Sequence, residues 1–252
     1  MAMTGANDCI VVWCGRLPYA EALDLQMQIC GLKKRGFDQD VLLLLEHPPT
    51  ITLGRNAKRD HLLVNEALLS SRGVGLWNVD RGGDITYHGP GQLVGYPILL
   101  LRAGERDVHR YMRKLEESLI SLLAGYWIEG TRDPKFTGVW TRNGKIAAMG
   151  VHISRWVTRH GFALNVNTDL SFYDLIVPCG IVGRNVTSME KHLLHAIELE
   201  EIADRYVLEF GPVFDRNMIR MNESELRDEL RRFDGKAGEV DEHIAPRSMP
   251  VV

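Results

Sequence analysis

The sequence predicts an α/β (α+β) fold, a mixed sheet with helices packed on it. Three observations carry this reading. Helix-like and strand-like patterns are interleaved along the 252 residues, which argues against an all-helical or all-β chain. Val41–His47 (VLLLLEH) opens with five consecutive apolar residues, the mark of a strand covered on both faces. Asn143-Gly144 lies between two β-compatible runs and is a strong hairpin signal, so the sheet is not purely parallel.

Each element follows in order. Cys9–Cys14 (CIVVWC) reads as a strand. A helix follows, opened by Pro18 and closed by Gly36 after Lys33, Lys34 and Arg35. Its apolar face is expected at Ala20, Leu23, Met27 and Cys30. After the Val41–His47 strand, two prolines precede a short strand in HPPTITLGRN. Asn65–Gly73 reads as a short capped helix and Gly75–Asp80 as a strand. Leu93–Leu101 is another apolar strand. The clearest helix carries Val108, Met112, Leu115, Leu119 and Leu122 on one face. The Asn143-Gly144 hairpin and a Gly161–Asn167 strand come next, then a loop with one helical turn through DLSFYDLIVPCGI. LEEIADRYVLEFG reads as a helix. Asn222 and Glu225 occupy capping-box positions for a last one. The polar, proline-containing tail after Asp234 reads as flexible. There is no internal repeat.

Composition excludes some functions. The formal charge is −3 without a basic stripe, which argues against a nucleic-acid partner. No apolar run approaches the ~20 residues needed to cross a bilayer. The N-terminal MAMTGANDC has no targeting pattern, so a cytoplasmic protein is expected. Cys9, Cys14, Cys30 and Cys179 form no C-x-x-C pair, so neither a metal site nor a redox pair is expected. The first three sit among apolar neighbours and read as small buried hydrophobes.

Arg81–Gln92 (RGGDITYHGPGQ) concentrates potential chemistry beside little side chain. Gly82 and Gly83 admit two readings: a tight turn, or bare backbone that a ligand approaches closely. Neither a Walker A loop nor G-x-G-x-x-G is present, so the glycines announce no nucleotide. Arg81, Thr86 and His88 are polar candidates, although a lone histidine is more often structural. Cys179 stands between Pro178 and Gly180, a setting unlike a strand or helix core. A reactive thiolate needs a nearby cation. Lys145 is a candidate, its alternative being an ordinary hairpin-end lysine. Ala148–Gly150 and Gly161–Ala163 suit the wall of a pocket for an alkyl chain, or simply close strand packing.

Taken together, Arg81-Gly82-Gly83, Thr86, Tyr87, His88, Gly91-Gln92 and Tyr96 resemble the signature of the octanoyltransferase family, the lipoyl(octanoyl) transferases. HPPTITLGR, GVW…NGKIAAMG, GFALNVN and PCGI…VTSME resemble it in the same order. Tyr87 stands where phenylalanine is frequent and Met149 where a branched aliphatic is frequent, departures that would alter pocket length or shape. The resemblance implies a biotin/lipoate-protein ligase-like catalytic domain over residues 10–214. It leaves 215–252 as a C-terminal helix and flexible tail. It implies transfer of an octanoyl group from octanoyl-acyl carrier protein to a lysine of lipoyl domains, those of 2-oxoacid dehydrogenases and the glycine cleavage H protein. No cofactor or metal is implied, and a monomer is expected. Cys179 would carry the acyl thioester and Lys145 would lower its pKa. Arg81, Gly82, Gly83, Asp84, Ile85, Thr86, Tyr87, His88, Ala148, Met149, Gly150, Gly161, Phe162 and Ala163 would line the substrate site. Arg142, Lys145, Arg155, Arg159 and Arg184 lie in segments expected around its mouth. The sequence leaves open whether Lys145 or His88 acts as base. The competing readings are an ATP-dependent lipoate or octanoate ligase, a non-catalytic acyl-binding module and a thioesterase.

Overall fold

The computed structural model describes residues 7–178 and 185–242, with side chains to residue 235. It forms two sheets. Strands β1 (Asp8–Arg16) and β2 (Asp40–Glu46) run parallel, linked by helix α1 (Tyr19–Lys34). Strands β3 (Thr50–Leu53), β4 (Gly75–Asn78) and β5 (Ile85–His88), with helix α2 (Glu66–Ser71), make a separate three-stranded sheet ordered β4-β3-β5. The chain returns to the main sheet with β6 (Gln92–Ile98), helix α3 (Val108–Ala124), β7 (Thr131–Arg132), β8 (Val139–Thr141), β9 (Gly144–Ser154) and β10 (Val157–Asn165). Helices α4 (Met189–Leu193) and α5 (Leu199–Phe214), strand β11 (Asn217–Arg220) and helix α6 (Glu223–Glu242) finish the described chain. The large sheet is ordered β11-β1-β2-β6-β10-β9-β8-β7, parallel at one end and antiparallel through the rest.

Period-two alternation sorts the strand residues between two cores. Leu42 and Leu44 of β2 face α3 and α5, with Leu119, Tyr206 and Phe210. Val41, Leu43 and Leu45 face α1 and α6, with Leu25, Ile29, Leu226 and Leu230. Helix α1 buries Ala22, Leu25, Ile29 and Leu32; of the face expected from the sequence only Cys30 is buried. Met27 of that face is 49% exposed. The helix is apolar on more than one side, so spacing alone does not choose the buried one. In α3 the expected stripe is buried at Leu115, Leu119 and Leu122, while Val108 is exposed.

Other departures are local. β10 starts at Val157, earlier than expected, because Arg155 and Trp156 form a second hairpin turn after β9, both with positive φ (51° and 62°). Type I′ turns need that geometry, but the pair lacks the usual Asn-Gly signal. β11 adds a strand beside β1 that has no clear sequence pattern. The capping box forms as expected, Asn222 Oδ1 accepting from Glu225 N and Glu225 Oε2 from Asn222 N. α6 continues past Asp234, where the sequence reading began a flexible tail; residues 243–252 lie outside those described. Among the described residues no helix is long and apolar enough to cross a membrane.

One end of the main sheet is pinned by buried charge. Asp40 accepts from Lys33 Nζ and Arg216 Nε, each at 2.8 Å, and from Leu100 N at 2.8 Å. Arg216 also reaches Glu105. Removing one member of a buried pair leaves its partner charged in low dielectric. Asp40→Ala is therefore expected to cost ~3–5 kcal/mol in urea unfolding. Arg59→Ala, which breaks the exposed Arg59–Glu66 pair, should cost no more than ~1 kcal/mol. Equal losses would contradict this account.

Candidate active site

The small sheet stands over the α1 face of the main sheet, and a cleft lies between them. Its walls are Gly83–Thr86 and His88 from one side and Ala148–Gly150 and Gly161–Ala163 from the other, with Tyr19, Arg81, Tyr96 and His160. The lining is mostly apolar and the cleft is narrow.

The structure brings most of the expected substrate residues together, in unequal roles. Thr86 and His88 point into the cleft from β5, while alternation sends Tyr87 the other way. Tyr87 stacks on Phe172 at 4.9 Å in the small-sheet core and does not line the cleft. Phe162 and Met149 face each other across the β9–β10 ladder and turn toward α3 and α5. Phe162 packs on Tyr206 at 4.7 Å. Their contribution to the cleft is backbone, so the Met149 side chain does not gauge its length. Gly82 lies behind the wall, its N–H bonded to Val151 O at 2.9 Å. Asp84 is held by His61 Nδ1 at 2.6 Å and caps Ile85 N.

Two glycines answer to close packing within the protein. A Cβ on Gly161 would sit 2.1 Å from Gly95 O, and one on Gly150 would sit 2.6 Å from Gly82 O and 3.1 Å from Arg81 Cδ. Any side chain there would push the walls apart.

Arg81 is almost buried. Its Nη2 donates to Thr52 O and Oγ1, both at 2.8 Å, and its Nη1 to Gly82 O at 3.1 Å. Thr52 Oγ1 also meets His88 Nε2 at 3.3 Å. On the other side of that ring, His88 Nδ1 meets Gln92 Oε1 at 2.9 Å. Gln92 Nε2 points at Tyr87 O, which can only accept. The amide orientation is thereby fixed, and His88 Nδ1 must be the donor. Arg81 supplies the protons on Thr52 Oγ1, so the Thr52 hydroxyl is free to donate to His88 Nε2. His88 is thus neutral with both nitrogens engaged. Burial, then His47 and Arg81, hold its pKa well below the ordinary value. His88 thus braces Arg81 through Thr52, with its Nε2 lone pair directed at the Thr52 hydroxyl.

His47 is neutral for the same reason. Its Nδ1 donates to Leu17 O at 2.7 Å and its Nε2 accepts from the Tyr96 hydroxyl at 2.8 Å. Thr52, His47, Tyr96 and Gln92 were not singled out as site residues. The signals the sequence offers for them are the family resemblance of HPPTITLGR, which holds His47 and Thr52, and of the signature that includes Gln92 and Tyr96.

Lys145 is buried at the start of β9, three residues before the cleft wall. Its Nζ lies over the Trp140 ring at 5.4 Å. Its backbone is flanked by the chain that follows residues 179–184: Lys145 N donates to Asn185 O at 2.9 Å, and Thr187 N to Lys145 O at 3.0 Å. The chain that precedes those residues is held by the small sheet's connections. Val177 N donates to His61 O at 2.7 Å, and Leu63 N to Leu175 O at 2.9 Å. Cys179 and Arg184 lie outside the described residues. Cys9, Cys14 and Cys30 are free thiols whose pKa burial raises, Cys14 to about 12. None of these three is a nucleophile at neutral pH. Of the cations expected at the mouth, Arg142 and Arg155 are exposed, whereas Arg159 is ion-paired with Asp80.

Against this geometry, the lipoyl protein ligase A/B catalytic domain profile matches residues 18–211. The chain is 51% identical over 213 residues to the octanoyltransferase of Solibacter usitatus, covering 84% of this chain and 96% of that one. It is 53% identical over 207 residues to the octanoyltransferase of Chloroflexus aurantiacus strain J-10-fl, covering 81% and 93%. The fold is similar to that of an archaeal bi-partite lipoate protein ligase, solved in work on that enzyme and its E2 lipoyl domain from Thermoplasma acidophilum. That match has a TM-score of 0.67 at 15% identity, over 98% of this chain and 100% of that one. At such identity the likeness is one of fold. The chain belongs to the lipoyl protein ligase A/B catalytic family and, within it, to the octanoyltransferases.

The neutral histidines set a pH dependence. The unfolded chain protonates these imidazoles as pH falls through ~6.5, whereas folded His47 stays neutral down to about 4. A folded pKa below the unfolded one means that stability is lost on acidification through that window. Urea midpoints should be level above neutral pH and fall between pH 6.5 and 4, with ~3 kcal/mol from His47 alone. Midpoints that do not change across this range would contradict the assignment.

Proposed function

We infer that this chain is an octanoyltransferase, an acyltransferase of protein lipoylation. The observation that carries the reading is half-identity to octanoyltransferases along 93–96% of their length. The mostly apolar cleft supports it. Burying the methylenes of an octanoyl tail at ~0.8 kcal/mol each supplies roughly 5 kcal/mol of binding without any charged contact.

The donor in this reading is octanoyl-acyl carrier protein and the acceptor a lysine of a lipoyl domain. The archaeal neighbour, studied with its E2 lipoyl domain, supports the acceptor class. Transfer proceeds in two halves. The Cys179 thiolate, paired with the Lys145 ammonium, attacks the donor thioester carbonyl. The tetrahedral adduct collapses, the carrier sulfur leaves and takes the Lys145 proton, and octanoyl-Cys179 remains. The acceptor amine then attacks that thioester. Neutral Lys145 takes the amine proton as the amide forms and the Cys179 thiolate departs, which regenerates the starting pair. The first half exchanges one thioester for another, and the second runs downhill to an amide. No nucleotide enters. In this scheme His88 takes no part in the proton transfers: burial makes it a weak base, and its Nε2 is directed at Thr52. Arg142, exposed at the β8–β9 tip beside Lys145, is the mouth cation best placed to meet an acidic carrier.

Intact mass after incubation with octanoyl-acyl carrier protein tests the scheme. Wild type should gain one octanoyl group, removed by hydroxylamine and mapped to Cys179. Cys179→Ser should lose transfer, and Lys145→Ala should slow it roughly 10²–10⁴-fold. Transfer that requires ATP and free octanoate would place the activity with the ligases instead. Arg142→Glu should raise the donor KM roughly 2–5-fold at low salt, converging with wild type at high salt. A KM that ignores both charge and salt would remove Arg142 from donor docking.

A further inference from the structure

We propose that Asn165 is a positioning residue for the transfer, its amide holding the two chain segments on either side of residues 179–184 in register with Lys145. The proposal rests on the function inferred above. Asn165 ends β10 and is 3% exposed. Its Oδ1 accepts from Gln92 Nε2 at 2.9 Å and from the Tyr173 hydroxyl at 3.2 Å. Its Nδ2 donates to Thr187 O at 3.0 Å. That carbonyl can only accept, so the amide has one possible orientation.

The three partners belong to three parts of the site. Tyr173 lies in the turn Leu170–Leu175, which leads into Val177 and Pro178. Thr187 lies in the segment that returns from residues 179–184 and bonds to Lys145 O. Gln92 holds His88, and through Thr52 it holds Arg81 in the cleft. Among the described residues, no backbone hydrogen bond joins segment 173–178 to segment 185–188. The Asn165 amide bridges them. A nucleophile carried between two such segments keeps its distance to Lys145 only if both stay in place. Misplacement of reacting groups by about 1 Å costs on the order of 10²-fold in rate.

The test compares Asn165→Ala, Asn165→Asp and Tyr173→Phe with wild type and with Ser118→Ala. Ser118 bonds Tyr206 in the α3–α5 core, so that variant controls for a lost buried hydrogen bond elsewhere. Two quantities are read: the single-turnover rate of octanoyl-Cys179 formation, and the pH midpoint for alkylation of Cys179 by iodoacetamide. Asn165→Ala should slow acylation roughly 10²-fold with little change in donor KM. Its alkylation midpoint should rise by about one pH unit as the thiolate loses its ammonium neighbour. Asn165→Asp keeps both acceptor bonds but cannot donate to Thr187 O, and should show the same shift. Tyr173→Phe, the mildest change, should show a smaller one, and it serves if Asn165→Ala fails to fold. Ser118→Ala should keep the wild-type midpoint. If the Asn165 and Tyr173 variants lower the melting temperature yet keep the wild-type rate and midpoint, Asn165 is structural and the proposal is overturned. If wild type itself takes no octanoyl group on Cys179, the underlying reading fails first, and the proposal with it.

Discussion

The site depends on one buried side-chain amide, that of Gln92. It is fully shielded, and it donates to Tyr87 O, Asn165 Oδ1 and the Tyr173 hydroxyl while accepting from His88. A buried amide without partners would cost several kcal/mol relative to water, so such a group persists only when its bonds are met. Here they are met by four residues from three elements. The small sheet supplies Tyr87 and His88, the main sheet supplies Asn165, and the turn Leu170–Leu175 supplies Tyr173. The apolar cores of the two sheets are separate. Hydrophobic burial can press one sheet on the other, but it does not fix their register. Directional bonds do, and Gln92 makes several of them at the junction.

The saturation of polar groups has a chemical consequence. The side-chain nitrogens and oxygens of Arg81, Thr52, His88 and His47 are each engaged by a neighbour. Their dipoles are directed into the protein. What remains toward the ligand is mostly apolar surface, which accepts hydrocarbon. A polar ligand would have to displace internal bonds to gain its own. Burial keeps the histidines neutral through the physiological range.

Much of this was legible in the sequence. The order of strands and helices, the Asn143-Gly144 hairpin and the capping box at Asn222 were readable, because apolar periodicity and turn chemistry are local signals, while the walls of the cleft came from the family resemblance. What failed was anything that required choosing a face. In GKIAAMG and GFALN, apolar residues occupy both alternating positions, so spacing cannot say whether Met149 or Ala148, Phe162 or Ala163 meets the ligand; ITYH does alternate, but spacing alone does not say which of its two faces meets the ligand. The same ambiguity turned α1 by part of a turn. The Arg155-Trp156 turn carries no glycine or asparagine to announce it. Strand β11 is too short to stand out, and exists because β1 has an open edge to pair with. Gln92 and Asn165 could not be valued from the sequence either. A buried amide is recognisable only when its partners are known, and these are 73 residues apart.

The placement of Lys145 on the wall strand ties binding to chemistry. A strand rises ~3.3 Å per residue, so Lys145 and Ala148 are separated by ~10 Å along β9. In the proposed reaction the octanoyl tail lies against Ala148 and Gly150 while its carbonyl is worked on near Lys145. The strand thus holds the reactive end and the apolar end of one ligand at a set separation. That separation is useful only if β9 stays in register with β10, which carries the opposite part of the wall. Gly150 and Gly161 face each other across this ladder, and each is in contact with another backbone oxygen, Gly82 O and Gly95 O. Gly150 and Gly161 therefore serve first to let the strands and the Arg81 loop close on one another, the close strand packing that was one of their two sequence readings. The narrowness of the cleft follows from that closure.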